Sequence, residues 1–366
     1  MSGPPPPKSV LIVRLGAMGD VVHVLPALGL LKGAGVEKVG WLIEDRWSAL
    51  VEGTAHLGCI HRLPRGRWRR EGTGVFGRLG DLRRLRREMR AEGYAAAVDF
   101  QGLTKSALGA WFSGARRRIG YGDSDAREMS RFFYSERVKP PPEARHVLER
   151  NMSLLAGVGV ERPEGELEFG LKPAEDDTER VRAGLAELGI HAGDRIALVQ
   201  PGAGWPTKRW LPARFGEAAR ILRDKHGFKP VITWGGAGER ALAEDVRTGS
   251  GDAAVIAPDT DIAGLVALVA QAGLFIGGDT GPTHIAAALG VPTVGIYAAS
   301  DTPRNGPYGP LVETVVSPVE CAGCWRRRCD LLPKCMEAIA TGQVMYAVEE
   351  LLARADERDA VLGGGG

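Results

Sequence analysis

No run in these 366 residues is apolar for long enough to cross a bilayer, and the most hydrophobic early stretch is interrupted by Arg14 and Asp20. Cysteine is scarce. Four of the five cysteines crowd into residues 321–335, which excludes the evenly stapled framework of a small secreted domain. An excess of one charge sign is missing too: 47 basic against 45 acidic side chains leave a net charge of +2, so the balance implies no class of partner. The opening MSGPPPPKSV has no apolar core of a signal peptide, and residues 1–7 and the glycines 363–366 are expected to be flexible tails. Together these absences predict a cytoplasmic protein.

What is present is an ordinary globular composition, 44% apolar and 25% charged, over a length that exceeds what one hydrophobic core usually supports. Strand-like runs alternate with helix-like runs in two series. In the first, SVLIVRL leads through a glycine turn into a helix expected over 21–31, followed by KVGWLIE and later by YAAAVDFQG, which ends at Asp99 and Gln101. In the second, RIALVQPGAG precedes the amphipathic helix LPARFGEAARILRDKHG, closed by Gly227. KPVITWGG then precedes a helix from Glu239, and DIAGLVALVAQAG leads into a short apolar run at 274–276. This pattern predicts an α/β fold of two Rossmann-like doubly wound domains, 8–172 and 173–353, with no internal sequence repeat. Ligands of such sheets bind beyond the carboxyl ends of the strands, where the polar motifs fall.

RLGAMGDVVHVLPAL places Gly16, Gly19 and Asp20 between a strand and a helix, with Glu44 ending the next strand. A dinucleotide fingerprint needs G-x-G-x-x-G; here only two glycines are in place, and the carboxylate after Gly19 repels a pyrophosphate. Asp20 either caps its helix or serves as a base. In GGDTGPTH, residues 277–284, the apolar run gives way to a helix expected over 284–289 and a strand over 293–296. Asp279 or Thr280 can cap that helix, and Pro282 suits its first turn. The turn is either an ordinary capped connection or an anion site at a helix N-terminus. Lys208, bracketed by Trp205 and Trp210 in QPGAGWPTKRW, is either a solvated loop lysine or a point charge for a phosphate. No acid pair of metal-binding type accompanies these motifs, so no metal or other cofactor is expected in catalysis.

RLGAMGDVVHVLPAL, DFQGLTKSAL and GGDTGPTHIAAALG, with QPGAGWPTKRW and WGGAGER, resemble the ADP-heptose–lipopolysaccharide heptosyltransferases of glycosyltransferase family 9. The resemblance runs from about Lys8 to Ala353, and DFQGLTKSAL, AREMSRFFY and HVLER are most similar to its heptosyltransferase I branch. It implies a GT-B fold, two Rossmann-like domains facing a cleft, with the lipid acceptor on the N-terminal domain and the nucleotide sugar on the C-terminal one. The implied reaction is inverting transfer of heptose from ADP-heptose to the Kdo–lipid A inner core, with Asp20 as general base. The implied donor contacts are Thr207, Lys208, Glu239, Asp279, Thr280, Gly281 and His284: Lys208 and the amides of Thr280 and Gly281 for the phosphates, Glu239 for the ribose. Glu239 can equally cap its helix, and His284 can equally be a packing residue. Where the heptosyltransferase I branch carries two threonines ahead of its phosphate-binding lysine, this chain has Ala203 and Gly204, leaving Thr207 to supply a hydroxyl. Lys105, Arg127, His146 and Arg150 match acceptor-facing positions.

Residues 62–90 hold eleven arginines against three acids, with Leu79, Leu82, Leu85 and Met89 at helical spacing. A basic amphipathic helix of this kind suits an anionic membrane surface, which predicts a peripheral position at the cytoplasmic face of the inner membrane; the same pattern also fits a solvated helix packed by its leucines. Nucleic acid is not an expected partner, because no stacking platform accompanies the arginines. Cys321, Cys324, Cys329 and Cys335 have the spacing C-x2-C-x4-C-x5-C, which fits either a structural zinc site or four reduced thiols and is given no catalytic role.

Overall fold

The computed structural model describes residues 5–122, 125–330 and 334–363. Of the expected tails, residues 1–4 and 364–366 lie outside the described residues, and Gly363 closes the last helix, Thr341–Gly363. The chain divides into two compact units, Met1–Leu171 and Lys172–Gly366. Each is built on one six-stranded, wholly parallel sheet with helices in its connections.

In the first unit, β1 (Ser9–Val13), β2 (Lys38–Glu44), β3 (Cys59–Leu63), β4 (Ala96–Asp99), β5 (Arg117–Tyr121) and β6 (Glu136–Val138) lie in the order β3-β2-β1-β4-β5-β6. In the second, β7 (Ile196–Gln200), β8 (Lys229–Ile232), β9 (Val255–Ile256), β10 (Leu274–Gly278), β11 (Thr293–Tyr297) and β12 (Val312–Val316) lie in the order β12-β11-β10-β7-β8-β9. Read from its own first strand, each sheet has the same winding. The chain switches direction between first and fourth strands in both, at β1/β4 and at β7/β10. Sequence comparison of the halves shows no repeat because a buried parallel strand asks only for apolar residues. Val10–Val13 in β1 and Leu274, Phe275 and Ile276 in β10 are fully buried.

Two expected elements differ in detail. The helix expected over 21–31 is two helices, Met18–Val22 and Pro26–Gly33, because Pro26 has no amide to continue the ladder from Val22. The helix expected over 284–289 begins earlier and covers Gly281–Ala288, with Thr280 at the N-cap and Pro282 in the first turn. The helix closed by Gly227 covers Pro212–His226, and Gly227 takes the left-handed conformation, φ 67°, that ends it.

Close helix packing in the second unit depends on Gly216: a Cβ there would lie 2.5 Å from the carbonyl carbon of Gly249, in the backbone of the helix Ala237–Gly249. Gly216→Ala is expected to destabilise this unit by about 1–3 kcal/mol, since backbone rather than a flexible side chain must yield. A urea unfolding midpoint equal to that of the parent chain would show that the two helices separate freely.

Candidate active site

Gln200 ends β7, and Gly277, its neighbour in β10, stands one residue before the strand's end. Beyond these ends, Lys208 leaves the short 3-10 turn Pro206–Lys208 and Asp279 leaves the turn after β10. Their side chains meet, Nζ to Oδ2, at 2.5 Å, with only 13% and 8% of each exposed. Ser300, just past β11, donates its hydroxyl to the same oxygen at 2.5 Å. His284 Nε2 lies 3.5 Å from Oδ1. Burial pushes the Asp279 carboxyl up, but the hydrogen bond and charge of His284, with those of Lys208, outweigh it and hold the group well below its ordinary 3.8. The Lys208 ammonium also sits 4.2 Å from the centroid of the Trp205 ring. Gly278 makes this approach possible, because a Cβ there would lie 2.7 Å from the Lys208 carbonyl oxygen.

The first turn of Gly281–Ala288 presents a helix N-terminus at the same strand end. Thr280 occupies the N-cap without a side-chain cap bond; its hydroxyl instead meets that of Thr283 at 3.1 Å, and Thr283 donates to the Gly278 carbonyl at 2.6 Å. Glu239 accepts the Gly235 amide at 2.9 Å and Gln200 Nε2 at 3.2 Å, so it bonds the backbone just ahead of its own helix and remains at the β7 end. Gly202 leaves it room, since a Cβ there would fall 2.2 Å from its carboxyl carbon. Thr207 differs from the expected donor contact. It is buried, and its hydroxyl donates to the Arg326 carbonyl at 2.7 Å, fastening the turn that carries Lys208.

In the first unit Asp20 is the third residue of Met18–Val22 and accepts the Ala17 amide at 3.2 Å, as a cap does. It also pairs with Arg14 Nη2 at 2.5 Å while keeping 36% of its side chain exposed. Both contacts fall on Oδ2. In the sequence Arg14 is marked only as a break in an apolar run. It is 7% exposed, and its Nη1 donates to the Phe100 carbonyl at 2.7 Å, joining the ends of β1 and β4. Ser300 is marked in the sequence only as a hydroxyl just past the apolar strand TVGIY.

The expected acceptor residues lie around the end of β4. The Arg127 amide bonds the Gly102 carbonyl at 3.0 Å, and Glu128 accepts the Thr104 amide at 3.0 Å, which brings exposed Arg127 to the helix Thr104–Phe112 that carries Lys105. Lys105 Nζ lies 3.4 Å from Glu44 Oε1, an oxygen shared with Arg65 at 2.6 Å. Arg150 pairs with Asp125. His146 is different: it is buried, its Nδ1 accepts the Leu148 amide at 3.1 Å, and its ring stands edge-on to His23 at 5.3 Å. It caps the helix Val147–Ser153, on which Arg150 sits.

In the helix Val75–Ala91 the apolar stripe divides. Leu85 and Met89 are buried and Leu82 is half-buried, whereas Leu79, Phe76 and Val75 stand out at 41%, 91% and 77% exposure. Arg83, Arg86 and Arg87 flank the stripe and make no ion pair among the described residues. Among the described residues no helix is long and apolar enough to cross a membrane.

As to the two readings of the cysteine segment, the described residues group no three His, Cys, Asp or Glu side chains that could hold a metal. Cys321 and Cys324 are exposed, and Cys329 and Cys335 are half-buried. The backbone of this segment is instead pinned to the end of β11, Gly323 N to the Ala298 carbonyl at 2.7 Å and Trp325 N to the Ala299 carbonyl at 2.8 Å.

Residues 82–334 match the family model described as glycosyltransferase family 9 (heptosyltransferase). The lipopolysaccharide heptosyltransferase 1 of Pseudomonas aeruginosa is 30% identical over 329 residues, covering 88% of each chain. The lipopolysaccharide heptosyltransferase 1 of Escherichia coli K12 is 27% identical, over 82% of this chain and 91% of that one. The fold is shared with the solved structure of E. coli heptosyltransferase WaaC with ADP, at a TM-score of 0.76 and 22% identity, over 94% of this chain and 99% of that one.

The depressed Asp279 carboxyl fixes a pH dependence. A group held below its ordinary 3.8 contributes stability that is complete above that value and is lost as pH falls towards the folded-state pKa. Asp279→Asn should remove this acid-side slope and, by leaving Lys208 buried without its partner, cost about 3–5 kcal/mol at neutral pH. Acid-unfolding curves of parent and variant that run parallel below pH 4 would exclude the pair as the source.

Proposed function

The chain belongs to glycosyltransferase family 9, and from that premise we propose that it transfers heptose from ADP-heptose, with inversion, to the Kdo–lipid A inner core of lipopolysaccharide. In this reading residues 8–172 bind the acceptor and residues 173–353 the nucleotide sugar. The observation that carries the chemistry is the asymmetric use of Asp20. Arg14 and the Ala17 amide both bind Oδ2, which leaves Oδ1 on a half-exposed carboxylate to receive a proton.

A nucleoside diphosphate leaves readily once its charge is compensated, so no acid is needed opposite the base, in contrast to glycoside hydrolysis. Lys208 supplies a compact positive charge and the Thr280 and Gly281 amides supply the positive end of a helix dipole. Asp279, with Ser300 and His284 around it, holds the ammonium in place until the phosphates arrive. Glu239 is the ribose acceptor. The acceptor hydroxyl attacks the anomeric carbon from the face opposite the departing ADP and passes its proton to Asp20 Oδ1. Arg14 fixes the carboxylate's direction through the opposite oxygen. No step in this scheme is assigned to a metal or other cofactor.

Lys105, Arg127 and Arg150 are the proposed contacts for the acceptor's phosphates and carboxylates, with His146 holding the helix that carries Arg150. The exposed Val75, Phe76 and Leu79, on a helix whose Arg83, Arg86 and Arg87 make no ion pair among the described residues, support the reading that the protein docks on an anionic leaflet at the cytoplasmic face of the inner membrane.

Incubation with ADP-heptose and heptose-free Kdo–lipid A should yield a product heavier by one heptosyl unit. Asp20→Ala should lower turnover about 10²–10⁴-fold while ADP affinity stays within about twofold, because a base acts only in the chemical step. Turnover within tenfold of the parent chain would reduce Asp20 to a helix cap.

The apolar tip has its own readout. Phe76→Ser combined with Val75→Ser should cut co-sedimentation with phosphatidylglycerol vesicles about tenfold or more, given about 1.5–3 kcal/mol for burying one large apolar side chain. Transfer to a detergent-dispersed acceptor should be unchanged. Undiminished vesicle binding would remove the tip from the interface.

A further inference from the structure

Spacing in the sequence sets the cysteine segment apart from the donor motifs, yet the fold lays it against them. Gly323 and Trp325 bond to Ala298 and Ala299, the two residues before Ser300, and Thr207 bonds to the Arg326 carbonyl. The segment is thereby fastened on one side to the strand end that supplies Ser300 and on the other to the turn that supplies Lys208. Trp325 meets Trp205 edge-to-face at 6.0 Å, and the Lys208 ammonium lies 5.5 Å from the Trp325 centroid. The Arg327 guanidinium lies 4.9 Å from the centroid of Trp205, the same ring that carries Lys208 at 4.2 Å.

Two cations therefore share one indole. Lys208 has a carboxylate, Asp279, whereas Arg327 has none: it is exposed and makes no ion pair among the described residues, although Glu320 and Asp330 flank its segment in sequence. A ring face lowers the energy of one cation modestly and does not neutralise two. An anion with more than one charged oxygen suits Lys208 and Arg327 together, since a planar guanidinium fork matches an oxygen pair.

We propose that Arg327 is a second phosphate-binding residue of the donor site, taking one phosphoryl group of a nucleoside diphosphate while Lys208 takes the other, with Trp205 as their common platform. The proposal rests on the donor-site reading given above for Lys208. Its ligand class is a diphosphate on a nucleoside, so ADP should feel the loss of Arg327 more than AMP does.

Calorimetric titration of ADP and AMP into the full-length chain tests this with Arg327→Ala, Arg327→Lys and Lys208→Ala. Arg327→Ala should weaken ADP about tenfold or more and AMP by less, with an unchanged melting temperature, and Arg327→Lys should recover part of the loss. If Lys208→Ala weakens ADP while Arg327→Ala leaves it within twofold, the donor reading stands and the role of Arg327 is overturned. If neither variant weakens ADP, the donor reading fails and takes the proposal with it. Should Arg327→Ala melt early, Arg327→Lys decides alone: ADP affinity reduced at parental stability supports the fork, and parental affinity shows that charge without geometry suffices, which overturns it.

Discussion

The buried contact between Lys208 and Asp279 organises everything around it in the second unit. Taking an ammonium and a carboxylate out of water is costly, and their attraction offsets that cost only with close geometry and further hydrogen bonds. Ser300 and His284 complete the carboxylate, and the Trp205 ring covers the ammonium. These groups come from three parts of the chain, residues 205–208, 279–284 and Ser300. Gly278 has no side chain because the Lys208 carbonyl occupies that space, and Thr207 is buried because it ties down the lysine's turn. Buried pairs are poor sources of stability, so a pair assembled from three segments is better explained by the charge it holds ready.

The first unit shows the same economy with a different outcome. Arg14 joins the end of β1 to the end of β4 and meets Asp20 on one oxygen only. The carboxylate is held in direction yet stays half-exposed, the condition a base needs and a fully paired structural acid lacks. Asp20 and Asp279 each stand at the switch point of their own sheet, where adjacent connections leave in opposite directions and open a crevice between them. Asp20 follows the first strand of its sheet and Asp279 the fourth of its own, so the shared winding order brings both to a switch point from opposite sides.

Position along the chain misleads most at the cysteine segment. Its spacing fits a zinc site or four reduced thiols and sets it apart from the lysine turn, but backbone bonds to the end of β11 draw it across that turn and bring Trp325 to Trp205. The arginine-rich helix misleads in the opposite way. Its leucines have one period from end to end, yet only the half that lies on the sheet buries them.

Composition and periodicity determined the fold class, seven of the twelve strands among the described residues and the helix end at Gly227, because apolar runs, capping residues and glycine turns act over a few neighbouring positions. The break at Pro26 was legible from the same local chemistry, though the apolar period running through it concealed it. Tertiary structure alone decided who meets whom. Nothing within a few residues of Arg14 or Ser300 marks either as a partner of an acid, and nothing near Thr207 says that its hydroxyl is already engaged by Arg326. Nothing near His146 in sequence says that it is buried against His23 and caps its helix through Leu148. Such pairings are set by the register of strands far apart in sequence, and local pattern carries no information about that register.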